Sequence, residues 1–371
     1  MSGLPRAPRG YFDAVGGLEL APDTALAHSR ATQLAWADPA RAHHLGRQSA
    51  LLAATSRASL ARSLSEIAHL TLSADQIFLA PSASTATTWA MAGFRGATRI
   101  AYSQIETLAV LDACQESGLP LTSLAVDPHG HVNQGLTANL EKALLVVQAA
   151  NIEIGTIQDL NDISASGHPI LAEATQLIGH SSMPAGWSVL FAEAKSWGGP
   201  AGITLIAANP ASNWAPPTLA PLGWVTDGSN VPAVVAAATS LENLLPQISD
   251  QHALAFELVE HLRGRIRAEI ADVTFAGDPI RRLPHILNCS VLYVSGEALV
   301  SELDRRGFAV ASGSACVADS DRASHVLVAL GAFTGGNLRI SLPFNCTRAD
   351  VDALADAIVA VVAELRAEAG L

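Results

Sequence analysis

Short apolar runs recur along the first two thirds of the chain, at 77–80, 99–102, 143–148, 188–192 and 203–207, and Ala/Leu-rich stretches with helical spacing lie among them at 44–68, 108–117 and 172–180. This alternation limits the fold more than any other feature. Strands separated by helix-length connections pair side by side in parallel, with the helices packed on both faces, so an α/β doubly wound sheet is expected. After a Pro/Gly-rich stretch at 209–232 the pattern changes to a long helical segment (233–269), two strand-like runs (286–294 and 307–311) and a closing helix (349–367). That half reads as a separate α+β unit. The expected division is a large domain at 16–240 and a small one at 241–371 that also takes in residues 1–15.

With 371 residues, 49% hydrophobic and 15% charged, the chain can bury a core of that size. A formal charge of −12, without basic runs, argues against direct contact with nucleic acid or an anionic membrane. No uninterrupted apolar stretch reaches about 18 residues, and the opening MSGLPRAPRGYFD has no apolar signal core. Cys114, Cys289, Cys316 and Cys346 show no CxxC or metal-ligand spacing, so they read as reduced thiols in a cytoplasmic protein with no metal site.

The chemistry concentrates at a few positions. Cys316 closes the run Ser312-Gly-Ser-Ala-Cys316 in a small, polar loop, where a thiol can reach a ligand. Arg339 interrupts a short β-like run, where a guanidinium needs a partner that a substrate carboxylate can supply. Lys195 follows the apolar run 188–192 and precedes Ser-Trp-Gly-Gly-Pro, so it stands where α/β sheets place ligands and is suited to a Schiff base, although a solvated loop lysine has the same setting. Glu173 and Gln176 share an i, i+3 spacing that could face one ligand, and a first-turn glutamate favoured by the helix dipole looks alike. Ala83, Ser84 and Thr85 follow a strand and could cradle a phosphate or simply cap a helix. Among the thiols, Cys114 and Cys289 lie in apolar patterns and look structural, whereas Cys346 is the rival exposed thiol to Cys316.

In their order along the chain these residues resemble the cysteine desulfurases (NifS/IscS-like) of the class V aminotransferase family. The likeness runs through Asp38-Pro39 with His43 and Gly46, Asn151-Ile-Glu153-Ile-Gly155-Thr156, Glu173-Ala-Thr-Gln176, Lys195 with Gly-Gly-Pro, and Leu287-Asn288 leading to Gly296-Glu297-Ala298-Leu299. It ends in Ser312-Gly-Ser-Ala-Cys316, Ser324-His325-Val326-Leu327, Leu330-Gly331 and Arg339-Ile-Ser-Leu342. The resemblance implies the pyridoxal 5'-phosphate (PLP)-dependent transferase fold type I, with a mainly parallel seven-stranded sheet. It also implies conversion of L-cysteine to alanine, with the sulfur left as a persulfide on Cys316 for an acceptor protein serving iron-sulfur clusters or tRNA thiolation. By position, Lys195 would carry the cofactor, Glu173 would pair its ring nitrogen and Gln176 its ring hydroxyl. Ala83, Ser84, Thr107, Asn151 and Ser229 would complete the cofactor site, with Ser229 reaching across a homodimer. Arg339, with Asn151, would hold the substrate carboxylate, and His325 could assist or be a helix-start surface residue.

The chain departs from the family pattern around the cofactor. Thr107 stands where the family stacks a histidine, Ile152 replaces an asparagine, Glu173 replaces an aspartate, and Ala192 and Ala194 replace two phosphate donors. Each lost donor removes about 1–3 kcal/mol of cofactor binding. Three functions therefore stand side by side: a working desulfurase, a degenerate homologue that binds partners without turnover, and a class V transaminase.

Overall fold

The structure, a computed structural model, describes residues 4–5, 7–137, 140–217, 230–313 and 323–370. Its strands are β1 (Ile77–Ala80), β2 (Arg99–Ser103), β3 (Leu121–Leu124), β4 (Ala143–Gln148), β5 (Ile170–Glu173), β6 (Val189–Glu193), β7 (Thr204–Ala208), β8 (Val273–Ala276), β9 (Ile286–Val291) and β10 (Asn337–Ser341). Its helices are α1 (Pro22–Leu34), α2 (His44–Ala68), α3 (Ala83–Ala92), α4 (Leu108–Glu116), α5 (Leu160–Ser164), α6 (Val231–Leu244), α7 (Ile248–Glu269), α8 (Gly296–Arg305), α9 (His325–Leu330) and α10 (Arg348–Glu368).

Seven strands form one sheet in the order β1-β7-β6-β5-β4-β2-β3, parallel throughout except for β7. The central strand β4, Ala-Leu-Leu-Val-Val-Gln, is buried at every position, as a parallel strand covered on both faces requires. Two apolar layers flank the sheet. One brings Leu60, Leu64 and Ile67 of α2 and Val234 and Leu241 of α6 onto Leu145, Leu190 and Leu205, and the other brings Ala86 and Ala90 of α3 and Val110 of α4 onto Leu144, Val146 and Phe191. The expected mainly parallel seven-stranded sheet is therefore present.

The second sheet, β10-β9-β8, is antiparallel and packs with α7, α8 and α10 around its own core. Phe12 belongs to that core, and bridges Tyr11–Ala309 and Asp13–Ser341 tie the N-terminal segment to it.

Three expectations are corrected. The helix expected over 172–180 is β5 followed by turns, because Ile170–Glu173 is claimed on both sides by β4 and β6. A short apolar run cannot be told from a buried helix by periodicity alone. The single helix expected over 233–269 is broken into α6 and α7 by a 3₁₀ turn at Leu245–Gln247, where Pro246 offers no N–H to continue the ladder. The run 307–311 contributes only isolated bridges at Ala309 and Ala311.

Candidate active site

The C-terminal ends of the parallel strands share one edge of the sheet, where ligands bind in open α/β folds. After β1, Ser82 caps α3: its hydroxyl accepts from Thr85 N at 3.2 Å. The amides of half-buried Ala83 and exposed Ser84 open the helix with no intrahelical partner. After β2 come Glu106, fully buried, and half-buried Thr107, which starts α4 without a side-chain cap bond. Glu106 Oε1 accepts from the Gln148 amide, and Oε2 has no partner among the described residues. Burial, and Glu173 nearby, push the Glu106 carboxyl well above the ordinary carboxylate range.

Asn151 follows β4 and is spent within the protein. Its Nδ2 donates to Ile105 O (2.9 Å) and Gln148 Oε1 (2.8 Å), and its Oδ1 accepts from Glu153 N and Ile154 N. The side chain thus staples a turn that ends at Gly155, whose φ of +77° favours glycine.

Glu173 ends β5. Its Oε1 accepts from Thr175 N at 2.8 Å, whereas Oε2 is buried with no partner among the described residues. Burial raises this carboxyl to about 7, and the Thr175 hydrogen bonds and Lys195 only partly oppose the rise. Gln176, also buried, places Oε1 3.4 Å from His285 Nε2. One strand over, Lys195 lies in the 3₁₀ turn Ala194–Trp197 that follows β6, a third exposed, with Nζ 3.3 Å from Glu193 Oε2. The strand order therefore puts Ser84, Thr107, Asn151, Glu173, Gln176 and Lys195, drawn from five separate connections, at the same end of the sheet.

The C-terminal unit meets this edge at Arg339 and around Glu153, which stands on the turn after β4. Arg339, central in β10 and 5% exposed, places Nη2 2.9 Å from Asp13 Oδ1. Glu153 meets both flanks of the stretch that contains Cys316. Ser324 Oγ donates to Glu153 Oε2 at 2.8 Å, and on the other flank a Cβ added at Gly313 would lie 2.1 Å from Glu153 Oε1. Gly313 N also donates to Asn337 Oδ1 at 2.9 Å. His325 starts α9 behind the Ser324 cap, and its Nε2 donates to Glu106 O at 2.9 Å, so it bridges inward rather than standing on the surface. Cys316 and Ser229 lie outside the described residues.

Burial lifts the thiols of Cys114, Cys289 and Cys346 to about 12 each. The expectation of an exposed Cys346 is corrected: it is 7% exposed and packs with Val351 and Leu354 in the small core. Reading the sequence also missed roles for Asp13, Glu106, Glu153, His180 and His285. The available signal was a charged residue a few positions past an apolar strand run, as at Glu106, three residues beyond β2. Among the described residues no cluster of three or more His, Cys, Asp or Glu could hold a metal ion, and no helix is long and apolar enough to cross a membrane.

Pyridoxal phosphate suits this donor set. The bare, buried Glu173 Oε2 calls for a cationic N–H, the start of α3 offers amides to a phosphate, and Lys195 supplies an amine in the turn that follows the neighbouring strand β6.

Comparison with known proteins agrees with the geometry. The family described as aminotransferase class-V matches residues 41–354. Cysteine desulfurase IscS of Dictyoglomus turgidum is 26% identical, over 89% of this chain and 88% of its own length. Cysteine desulfurase IscS of Clostridium botulinum is 29% identical over 79% and 80%. Among solved structures, a NifS-like protein superposes with a TM-score of 0.84 at 22% identity, covering 96% of this chain and all of the other. A NifS-like protein from Rickettsia africae gives 0.83 at 21%, covering 96% and 99%. The architecture is that of the PLP-dependent fold type I proteins.

Proposed function

The chain belongs to the class V aminotransferase family, in its NifS/IscS-like branch, and on that premise we propose that it is a pyridoxal-phosphate-dependent cysteine desulfurase. The observation that carries this reading is the placement, at the ends of two adjacent parallel strands, of Glu173 with a bare buried oxygen and, in the turn after β6, Lys195 with a reachable amine. When bound, the cofactor supplies an electron sink for bond cleavage at the substrate.

The chain's own residues then take separate tasks. Lys195 Nζ is the attachment point and, once released, the base that moves a proton at the substrate carbon. Glu173 Oε2 holds the ring N–H, and the charge of that N–H keeps the carboxylate ionised in a setting that otherwise favours its neutral form. Gln176 faces the ring hydroxyl, and Ala83 and Ser84 offer amides to the phosphate. Thr107 bounds the site without stacking on the ring. Asn151 acts by holding the turn that carries Glu153. Arg339, oriented by Asp13, binds the cysteine carboxylate. The Cys316 thiolate would attack the substrate sulfur, so that an S–S bond forms as the substrate C–S bond breaks; the electron pair left on carbon goes to the electron sink and then takes up a proton, the substrate leaves as alanine, and the persulfide on Cys316 is the form passed to an acceptor protein.

The two cores support assigning 16–240 and 241–371, the latter with 1–15, as domains. The exposed apolar side chains of Trp36 (70%) and Leu51 (67%), beside α1 and on α2, support a homodimer, with Ser229 contributing to the partner's phosphate site. A cytoplasmic location fits free cysteine as substrate.

Borohydride reduction of the loaded protein followed by peptide mass analysis should label Lys195, and incubation with L-cysteine should release alanine and leave extra sulfur on Cys316 alone. Protein that binds pyridoxal phosphate but forms no persulfide points to transamination. A second reading, a homologue that binds partners without turnover, draws on Thr107, which offers no ring to stack, and on Ala192 and Ala194, whose side chains offer no donor. It predicts protein that stays colourless when pyridoxal phosphate is added.

A further inference from the structure

Beneath the candidate site three rings form a buried stack. The centroids of His180 and His285 are 3.7 Å apart at an interplanar angle of 17°, and Phe344 covers the other face of His180 at 4.8 Å and 10°. His180 is 5% exposed and His285 1%. Each imidazole touches a different arm of the site. His180 Nε2 lies 3.1 Å from the carbonyl of Ser196, the residue after Lys195, and His285 Nε2 lies 3.4 Å from Oε1 of Gln176.

The partners fix the protons. A carbonyl only accepts, so His180 carries its proton on Nε2. With Gln176 Oε1 facing it, His285 is likewise the Nε2–H form, and its buried Nδ1, which has no partner among the described residues, is a bare lone pair. The opposite tautomer with a flipped amide would bury an unpaired N–H, the rarer defect in folded proteins. Burial holds both rings neutral, with His180 lowered to about 4 and His285 well below its ordinary value. His252 from α7 and Arg282 from the segment before β9 act on the stack in the same direction.

We propose that His180 and His285 are positioning residues for the cofactor site: His285 fixes the Gln176 amide so that its NH₂ end is the one offered to the cofactor, and His180 fixes the turn that carries Lys195. Gln176 Nε2 makes no hydrogen bond among the described residues, so an N–H donor remains for an anionic ring oxygen. Stacking couples the two arms, because neither ring can tilt without moving the other. Gly179, at φ +91°, brings His180 under Trp197, where a Cβ would meet the Trp197 Cβ at 2.8 Å. The proposal rests on the cofactor reading above, and its test separates the two.

The first measurement needs no cofactor. Nitrogen-15 shifts of histidine in the unloaded full-length protein should show both rings neutral with the proton on Nε2, and a proton on Nδ1 of His285 overturns the proposal. The second is a double-mutant cycle on pyridoxal phosphate affinity. His285→Phe keeps the stack but loses the N–H, and should weaken binding about tenfold, the order expected for losing a buried hydrogen bond. The loss should vanish in a Gln176→Ala background, and His285→Asn, which restores an N–H, should recover part of it. Additive effects of His285→Phe and Gln176→Ala overturn the proposal. If wild type binds no pyridoxal phosphate, the functional reading fails, and the nitrogen shifts still decide how the amide is held.

Discussion

Glu173 ends its strand with one oxygen bonded and the other bare, and that asymmetry has a measurable sign. Its folded carboxyl, raised to about 7, binds a proton more tightly than the unfolded one near 4.5. Its contribution to stability is complete below about pH 4.5 and is lost as pH rises through 7. In ligand-free protein, Glu173→Gln should therefore stabilise at pH 8, by on the order of 3 kcal/mol, and change little at pH 4.5. Denaturant titrations at the two pH values check this, and equal effects at both would contradict it. His180 works the other way: its stabilising contribution is present above about 6.5 and is lost as pH falls towards 4. The thiols give a simpler test. Cys114, Cys289 and Cys346 should resist iodoacetamide at pH 7.5 until the protein is unfolded, because burial keeps them as thiols. Rapid native labelling of Cys346 would show that its cover is not closed.

Among the elements, β1, β4 and α2 have the bounds their sequences suggest, because continuous apolar runs and a long alanine-rich pattern each have one reading at that length. The strand β3, Leu-Thr-Ser-Leu, is half exposed at the sheet edge and carries too little apolar signal to be seen. The β5 segment misled because Ile-Leu-Ala-Glu continues into Ala-Thr-Gln-Leu-Ile, which also fits a helix; pairing with two neighbouring strands decides it. Order along the chain singled out Lys195, Glu173 and Gln176 as candidates, and the fold puts them at the ends of neighbouring strands, but no local pattern places Glu153 between the two flanks of the Cys316 stretch. That arrangement predicts a steric dependence. Gly313→Ala should cost about 1–3 kcal/mol, as overpacking does, and Glu153→Asp, one methylene shorter, should recover part of it. Thermal melting of the single and double variants checks both, and additive losses would show that the two positions do not meet.

At the scale of the whole molecule, the N-terminal segment serves both cores. Val15 packs in the large one and Phe12 in the small one, while Asp13 holds Arg339. Asp13→Ala removes one partner of a pair whose arginine is buried and whose aspartate is 28% exposed. The expected cost is about 2 kcal/mol, below the range for a fully buried pair because part of the pair is wet. The cysteine KM should rise more than the pyridoxal phosphate dissociation constant. Equal changes in both would mean that Asp13 supports the whole edge rather than the arginine.

The Asp13–Arg339 pair joins positions 326 residues apart. During synthesis the aspartate is made before any described strand of either sheet, and it waits until β10, the last of them, is translated before its partner exists. Closing so long a loop is entropically costly and slow, so this contact forms late. A chain cut short before β10 can still assemble the parallel sheet with Glu173 and Lys195 at its edge, yet it lacks the arginine and the strand that seats the first residues. The proposed hold on the substrate carboxylate thus arrives only once β10 is made, and a product that ends before it is left with the Glu173 and Lys195 edge alone.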